Sequence, residues 1–183
     1  MKYFLLVSVF CCAIHIAFAQ TEWPKEITPQ VLEQIKAEIE KKIPAFKQSL
    51  IKQGLTSDQV EFSLDTFRIE QTATHRTSID YSTMGMNTST DGLTAAYDKL
   101  LNKYYNKLMA MLAPDDKKVL VTAQKAWLAY RDAESKLIWA LTKDEYSGGG
   151  SMQTNIATSA YADLVVKRTV KIFHYYDGLV KQK

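Results

Sequence analysis

Asp132 and Glu134 are the two carboxylates placed closely enough in the chain to invite acid–base work. If they lie on a helix, positions two apart diverge by about 200°, so they cannot share one reacting atom. The histidines are His15, His75 and His174, none with a second histidine at metal-binding spacing. No serine sits in a nucleophile-elbow motif. Gly148-Gly149-Gly150 lacks the Lys-Ser/Thr that a phosphate loop requires and reads as a flexible connection. These absences point away from catalysis, and the reading calls for no metal and no cofactor. Two alternatives stay open beside a binding protein. One is a structural or stress-related envelope protein without a dedicated ligand. The other is an envelope-remodelling enzyme working through Asp132 and Glu134.

What remains is recognition chemistry. Leu120, Gln124, Trp127, Arg131, Glu134 and Ile138 follow at three- and four-residue steps and line up on a helix. Arg131 and Glu134 are spaced to pair, with Asp132 pointing elsewhere. Arg168 falls on an apolar line of Tyr161, Leu164, Val165 and Ile172. One reading has Arg131 and Arg168 meet Asp132, Glu134 or Asp98 in register-fixing ion pairs between helices, because an unpaired buried charge costs several kcal/mol. The other makes Trp127, Arg131 and nearby tyrosines a binding face, since Trp, Tyr and Arg dominate interface hot spots.

Five helices are expected to position these residues. Thr28-Pro29 opens the first, with Ile35, Ile39 and Ile43 on its stripe and Pro44 as a kink or break. Ser57 caps a second carrying Val60, Leu64 and Phe67, although the alternation of Val60, Phe62 and Leu64 also fits a short strand. Gln71 to Thr90 is polar and reads mostly as a connection. A third helix starts at Thr90 or Asp91 and ends at Ala113-Pro114. The fourth has Val119, Ala123, Ala126, Tyr130, Ala133, Leu137 and Leu141 as its expected core stripe, and a fifth follows the glycine run. The fold class is all-α, a helical bundle of four to five helices without disulfides.

Composition adds the compartment. Lys2, the apolar run Tyr3 to Phe18 and Ala17-Phe18-Ala19 have the form of a cleaved secretory signal, with Gln20 as the new N-terminus. Both cysteines, Cys11 and Cys12, lie in it, so the mature chain has none. The expected location is exported, periplasmic or secreted, with no stable membrane insertion after cleavage. Residues 20–90 hold eight basic and ten acidic side chains, and residues 91–183 hold fourteen and ten. So mild a balance carries no nucleic-acid footprint.

Trp127-Leu128-Ala129-Tyr130-Arg131-Asp132-Ala133, preceded by Ala123-Gln124, resembles the signature of the family named for the lysozyme inhibitor LprI, also called DUF1311. Met86-Asn87, Asp98, Leu101-Asn102, Tyr105, Leu108, Gly149-Gly150-Ser151 and Arg168 follow that pattern in order, over residues 81–180. The resemblance implies an exported helical domain, in one case associated with inhibition of lysozyme. It also implies cysteines at places occupied here by Ser89, Ser135 and Ala160, a disulfide framework given up as a unit. Because host lysozymes are basic, an acidic docking face would have to come from Asp132, Glu134, Asp144 and Glu145 or from the N-terminal helices.

The expected organisation is therefore a signal peptide (1–19), an N-terminal helical extension (20–80) and an LprI-like helical domain (81–183). The expected binding surface is Trp127, Arg131, Asp132 and Glu134, with Gly149, Gly150 and Ser151 at one end. Asn102, Tyr105, Gln124, Tyr130 and Arg168 are expected to support it. The partner is a protein or cell-envelope component, with lysozyme as the named candidate.

Overall fold

The structure, a computed structural model, describes residues 23–181. The signal reading over residues 1–19 lies outside the described residues. Within them the chain is helical: α1 (Pro29–Lys52), α2 (Ser57–Ile79), α3 (Thr83–Met111), α4 (Pro114–Leu141), the single turn α5 (Asp144–Ser147) and α6 (Met152–Val180). The helix count is thus six rather than four to five, the extra one being the short α5. No described helix is long and apolar enough to cross a membrane.

Side-chain oxygens set where the first helices begin. Thr28 accepts from the Val31 amide at α1, and Thr56 forms a reciprocal capping box with Gln59 at α2. Pro44 does not divide α1. It lies on the exposed face, where water can take the carbonyl it leaves unbonded, while Ile35, Ile39, Ile43 and Leu50 hold the other face against α2.

Beyond Ser57, which follows the Thr56 cap as the first residue of α2, the helix reading holds over its strand alternative and one expectation is overturned. Residues 57–79 are helix and include no strand. Val60 and Leu64 face α1, whereas Phe62 turns to a second core against α3 and α6. A helix buried on two sides produces the same alternation as a strand. The polar segment from Gln71 to Thr90 is not a long connection either, because α2 continues to Ile79 and α3 starts at Thr83. The turn is compact because Asp80 folds back. Its Oδ1 accepts from the Ser82 amide (3.2 Å) and hydroxyl (2.6 Å), and the Ser82 hydroxyl in turn caps Gly85 (3.0 Å). A Cβ on Gly85 would stand 2.1 Å from the Asp80 carboxyl carbon, so any larger residue there would displace that carboxylate and the bonds it accepts from Ser82.

The central pair is α3 and α6. Tyr97, Leu101 and Tyr104 of α3 bury against Val165, Ile172 and Phe173 of α6, with Ala157, Ala162 and Thr169 letting the backbones approach. The Thr169 hydroxyl donates to the Tyr97 carbonyl at 3.1 Å. Phe62 stacks on Phe173 with ring centroids 3.9 Å apart and meets Tyr104 edge-on at 5.2 Å. A charged ladder fixes the α2–α3 register: Lys103 meets Asp65 (2.6 Å) and Glu61 (2.8 Å), and Lys107 meets Asp58 (2.9 Å) and Glu61 (2.7 Å). The helices adjoin in the order α1, α2, α3, α6, α4, with α2 also touching α6.

Candidate functional site

α4 is the helix least absorbed by the bundle, and its orientation reverses the expected one. Leu120 is its buried residue, and Gln124, Trp127, Arg131, Glu134 and Ile138 are half-buried along the same face. The stripe expected to form its core is turned outward. Val119, Tyr130, Leu137 and Leu141 are each more than half exposed. Tyr130 therefore does not support the core as expected. The reason lies in α6, which sets Arg168 opposite α4.

Arg168 reaches from α6 and donates from Nε (3.0 Å) and from a terminal nitrogen (2.8 Å) to the Gln124 side-chain oxygen. Its guanidinium lies 5.6 Å from the Trp127 ring centre, and that of Arg131 lies 5.4 Å from the same ring. The indole is thus within cation–π reach of two guanidinium groups, each contact contributing about 0.5–1 kcal/mol at such half-exposed sites. Among the described residues Arg168 has no carboxylate partner, so the expected inter-helix ion pair is replaced by an amide and a ring. Burial lowers its pKa from the ordinary arginine value. Arg131 differs from expectation as well: it donates to Asp132 Oδ1 from Nε (3.0 Å) and a terminal nitrogen (2.7 Å) rather than pairing with Glu134. Adjacent residues diverge on a helix, but arginine is long enough to swing round to its neighbour.

The other expected residues are dispersed. Gly149 to Ser151 lie past the end of α4, which is itself ten residues and about 15 Å beyond Arg131. Gly148, Gly149 and Gly150 take φ of 76°, 81° and 97°, a left-handed run that side chains resist. The Gly149 amide donates to the Ser147 hydroxyl at 3.1 Å, and the Gln153 amide group donates to the Ser147 carbonyl at 3.4 Å. Asn102 is exposed and donates to Asp98 at 3.3 Å, while Tyr105 packs half-buried against the main core. Asn87, of the Met86-Asn87 pair, joins the starts of α3 and α6 by donating to Thr154 and accepting from Asn155, both at 3.0 Å.

One outward line was missed. Leu128, Asp132, Ser135 and Trp139 follow at steps of four, three and four. Asp132 is exposed, Trp139 is 44% exposed, and Tyr146 in α5 is 64% exposed. The spacing was visible in the sequence, but nothing there said which face of α4 meets the bundle. Among the described residues no group of three or more acidic or histidine side chains could hold a metal ion.

A family model described as lysozyme inhibitor LprI matches residues 74–171, more than half of the chain. This chain belongs to the LprI family. The match begins inside α2 and takes in α3, α4, α5 and most of α6, so the LprI unit includes the Trp127–Arg168 junction. An uncharacterized protein of Rhizobium meliloti (strain 1021) is 30% identical over 104 residues, which cover 50% of this chain and 71% of that protein. No solved structure matches. At the three places where the LprI resemblance implies cysteine, Ser89 is 2% exposed with a hydroxyl that makes no hydrogen bond among the described residues, while Ser135 and Ala160 are half-buried.

Proposed function

We propose that this chain is an exported, non-enzymatic protein that binds another protein through the outward Asp132–Trp139 line of α4 and the α5 turn beyond it. Lysozyme is the first partner to try, on the strength of the family match. The observation that carries the reading is the exposure, on one helix end, of two large aromatic rings beside carboxylates. Trp139 and Tyr146 supply anchors of the kind that dominate interfaces, and Asp132, Asp144 and Glu145 are all exposed. A basic partner responds to the face it meets and not to the whole chain, and along residues 131–145 Asp132, Glu134, Asp144 and Glu145 outnumber Arg131, Lys136 and Lys143. Trp127 and Arg131 then act from behind by holding α4 and orienting Asp132, and Gly149 to Ser151 shape the far edge.

The test is titration of the purified protein into animal c-type lysozyme while cell-wall lysis is followed. Saturable inhibition is expected, weakened about tenfold or more by Trp139→Ala and by Asp132→Ala, with the helical signal unchanged. Absence of inhibition even at tens of micromolar, a ceiling set by ordinary protein–protein affinities, would remove lysozyme as the partner.

A further inference from the structure

α4 carries a second outward line, about half a turn round the helix from Trp139 and unused by the reading above. From Val119 through Ala123, Ala126, Tyr130 and Ala133 to Leu137 the steps alternate between four and three residues, the 3.5-residue period of a coiled-coil seam. No charged residue interrupts it, and its large members are each more than half exposed. Beside its first half opens a mostly apolar groove of about 400 Å³, walled by Leu108 of α3 and Leu112 just past its end, Val119 and Ala123 of α4, and Tyr175 and Leu179 of α6, with Asp116 also lining it.

We infer that this seam is covered by a second copy of the same chain, packed antiparallel so that Leu137 of each copy enters the groove beside Val119 of the other. The order of sizes along the seam selects that arrangement. Laying Leu137 on Val119 in antiparallel sense also lays Ala133 on Ala123 and Tyr130 on Ala126. Each tyrosine ring then meets a small residue, and the groove receives a branched aliphatic side chain. A parallel pair in register would set Tyr130 against Tyr130 and Asp115 and Asp116 against their own copies, with the helix dipoles aligned. The antiparallel pair instead brings Asp115 of one copy toward Lys143 of the other. The contact is closed and two-fold, with the same patch used on both sides.

Area decides how tight it can be. The seam from Val119 to Leu137 spans 19 residues, so it is about 28 Å long and about 10 Å wide. Two such strips amount to about 560 Å² before side-chain relief and the groove walls are counted, below the roughly 1,000 Å² of a stable specific interface, so the dimer is weak and transient. A dissociation constant on the order of 100 μM or weaker is expected for so narrow a contact. Because Trp139 points the other way, the dimer displays two copies of the Asp132–Trp139 face, and the two assignments stand or fall separately.

Light scattering across a concentration series should show a monomer passing to a dimer. Leu137→Glu, and independently Ala126→Glu, should leave a monomer with an unchanged helical signal, whereas Trp139→Ala should dimerise like the parent. In a background with Cys11 and Cys12 changed to Ser, a mixture of Ala123→Cys and Ala133→Cys proteins should cross-link on oxidation, and Ala133→Cys alone should not. A monomer at every concentration, a dimer indifferent to both glutamates, or cross-linking of Ala133→Cys with itself would each overturn the inference.

Discussion

Ser89 shows how a single atom records a change in this fold's chemistry. Where the family pattern implies a cysteine, a serine hydroxyl is buried to 2% exposure without a hydrogen-bond partner among the described residues. A hydroxyl taken from water and left unpaired costs about 1–3 kcal/mol. Ser89→Ala is therefore expected to raise the unfolding free energy by about 1 kcal/mol, read from the urea midpoint. A fall of similar size would mean that the hydroxyl has a partner. Arg168 is the opposite case, a half-buried charge accepted because Gln124 and Trp127 receive it.

At the scale of the helix, that arginine decides how firmly α4 is held. With one buried residue on α4, its amides should exchange with solvent much faster than those of α3 and α6. Arg168→Ala should accelerate exchange further in α4 while leaving the α3 amides unchanged. Equal acceleration in both helices would place Arg168 in the global core instead. The α2–α3 ladder responds to pH. Hydrogen bonds from Lys103 and then Lys107 hold the Glu61 carboxyl below its ordinary 4.5, outweighing the upward effect of burial. A carboxyl whose folded pKa is depressed contributes stability above its unfolded value and loses it as pH falls through the folded value. Glu61→Gln should thus lower stability at neutral pH and flatten the decline below pH 4.5, seen in melting temperature against pH.

For the whole molecule, the question is whether residues 20–80 form an appendage. Phe62 lies between Phe173 and Tyr104, so the N-terminal helices contribute a ring to the core that α3 and α6 share. Phe62→Ala is expected to cost about 3–5 kcal/mol, the usual range for a buried aromatic truncation. Unfolding should stay a single transition. Two separate transitions, only one of them shifted, would show that the extension and the LprI unit fold independently.

Helix identity and family were legible in the sequence because both rest on local order. Capping residues, three- and four-residue spacing and the run from Ala123 to Ala133 need no knowledge of what lies opposite. The short connection at Asp80 to Ser82 was not legible, since serine- and threonine-rich segments serve loops and helices alike and only the fold-back onto Gly85 settles the matter. The direction α4 faces was decided in three dimensions. It has two plausible inner faces, one apolar and one mixed, and sequence periodicity favours the apolar one. The tertiary structure chose the mixed one because Arg168 on α6 needs the Gln124 amide and the Trp127 ring. Desolvating that charge without them would cost more than leaving Val119, Tyr130, Leu137, Leu141 and the alanines between them about half exposed on the bundle.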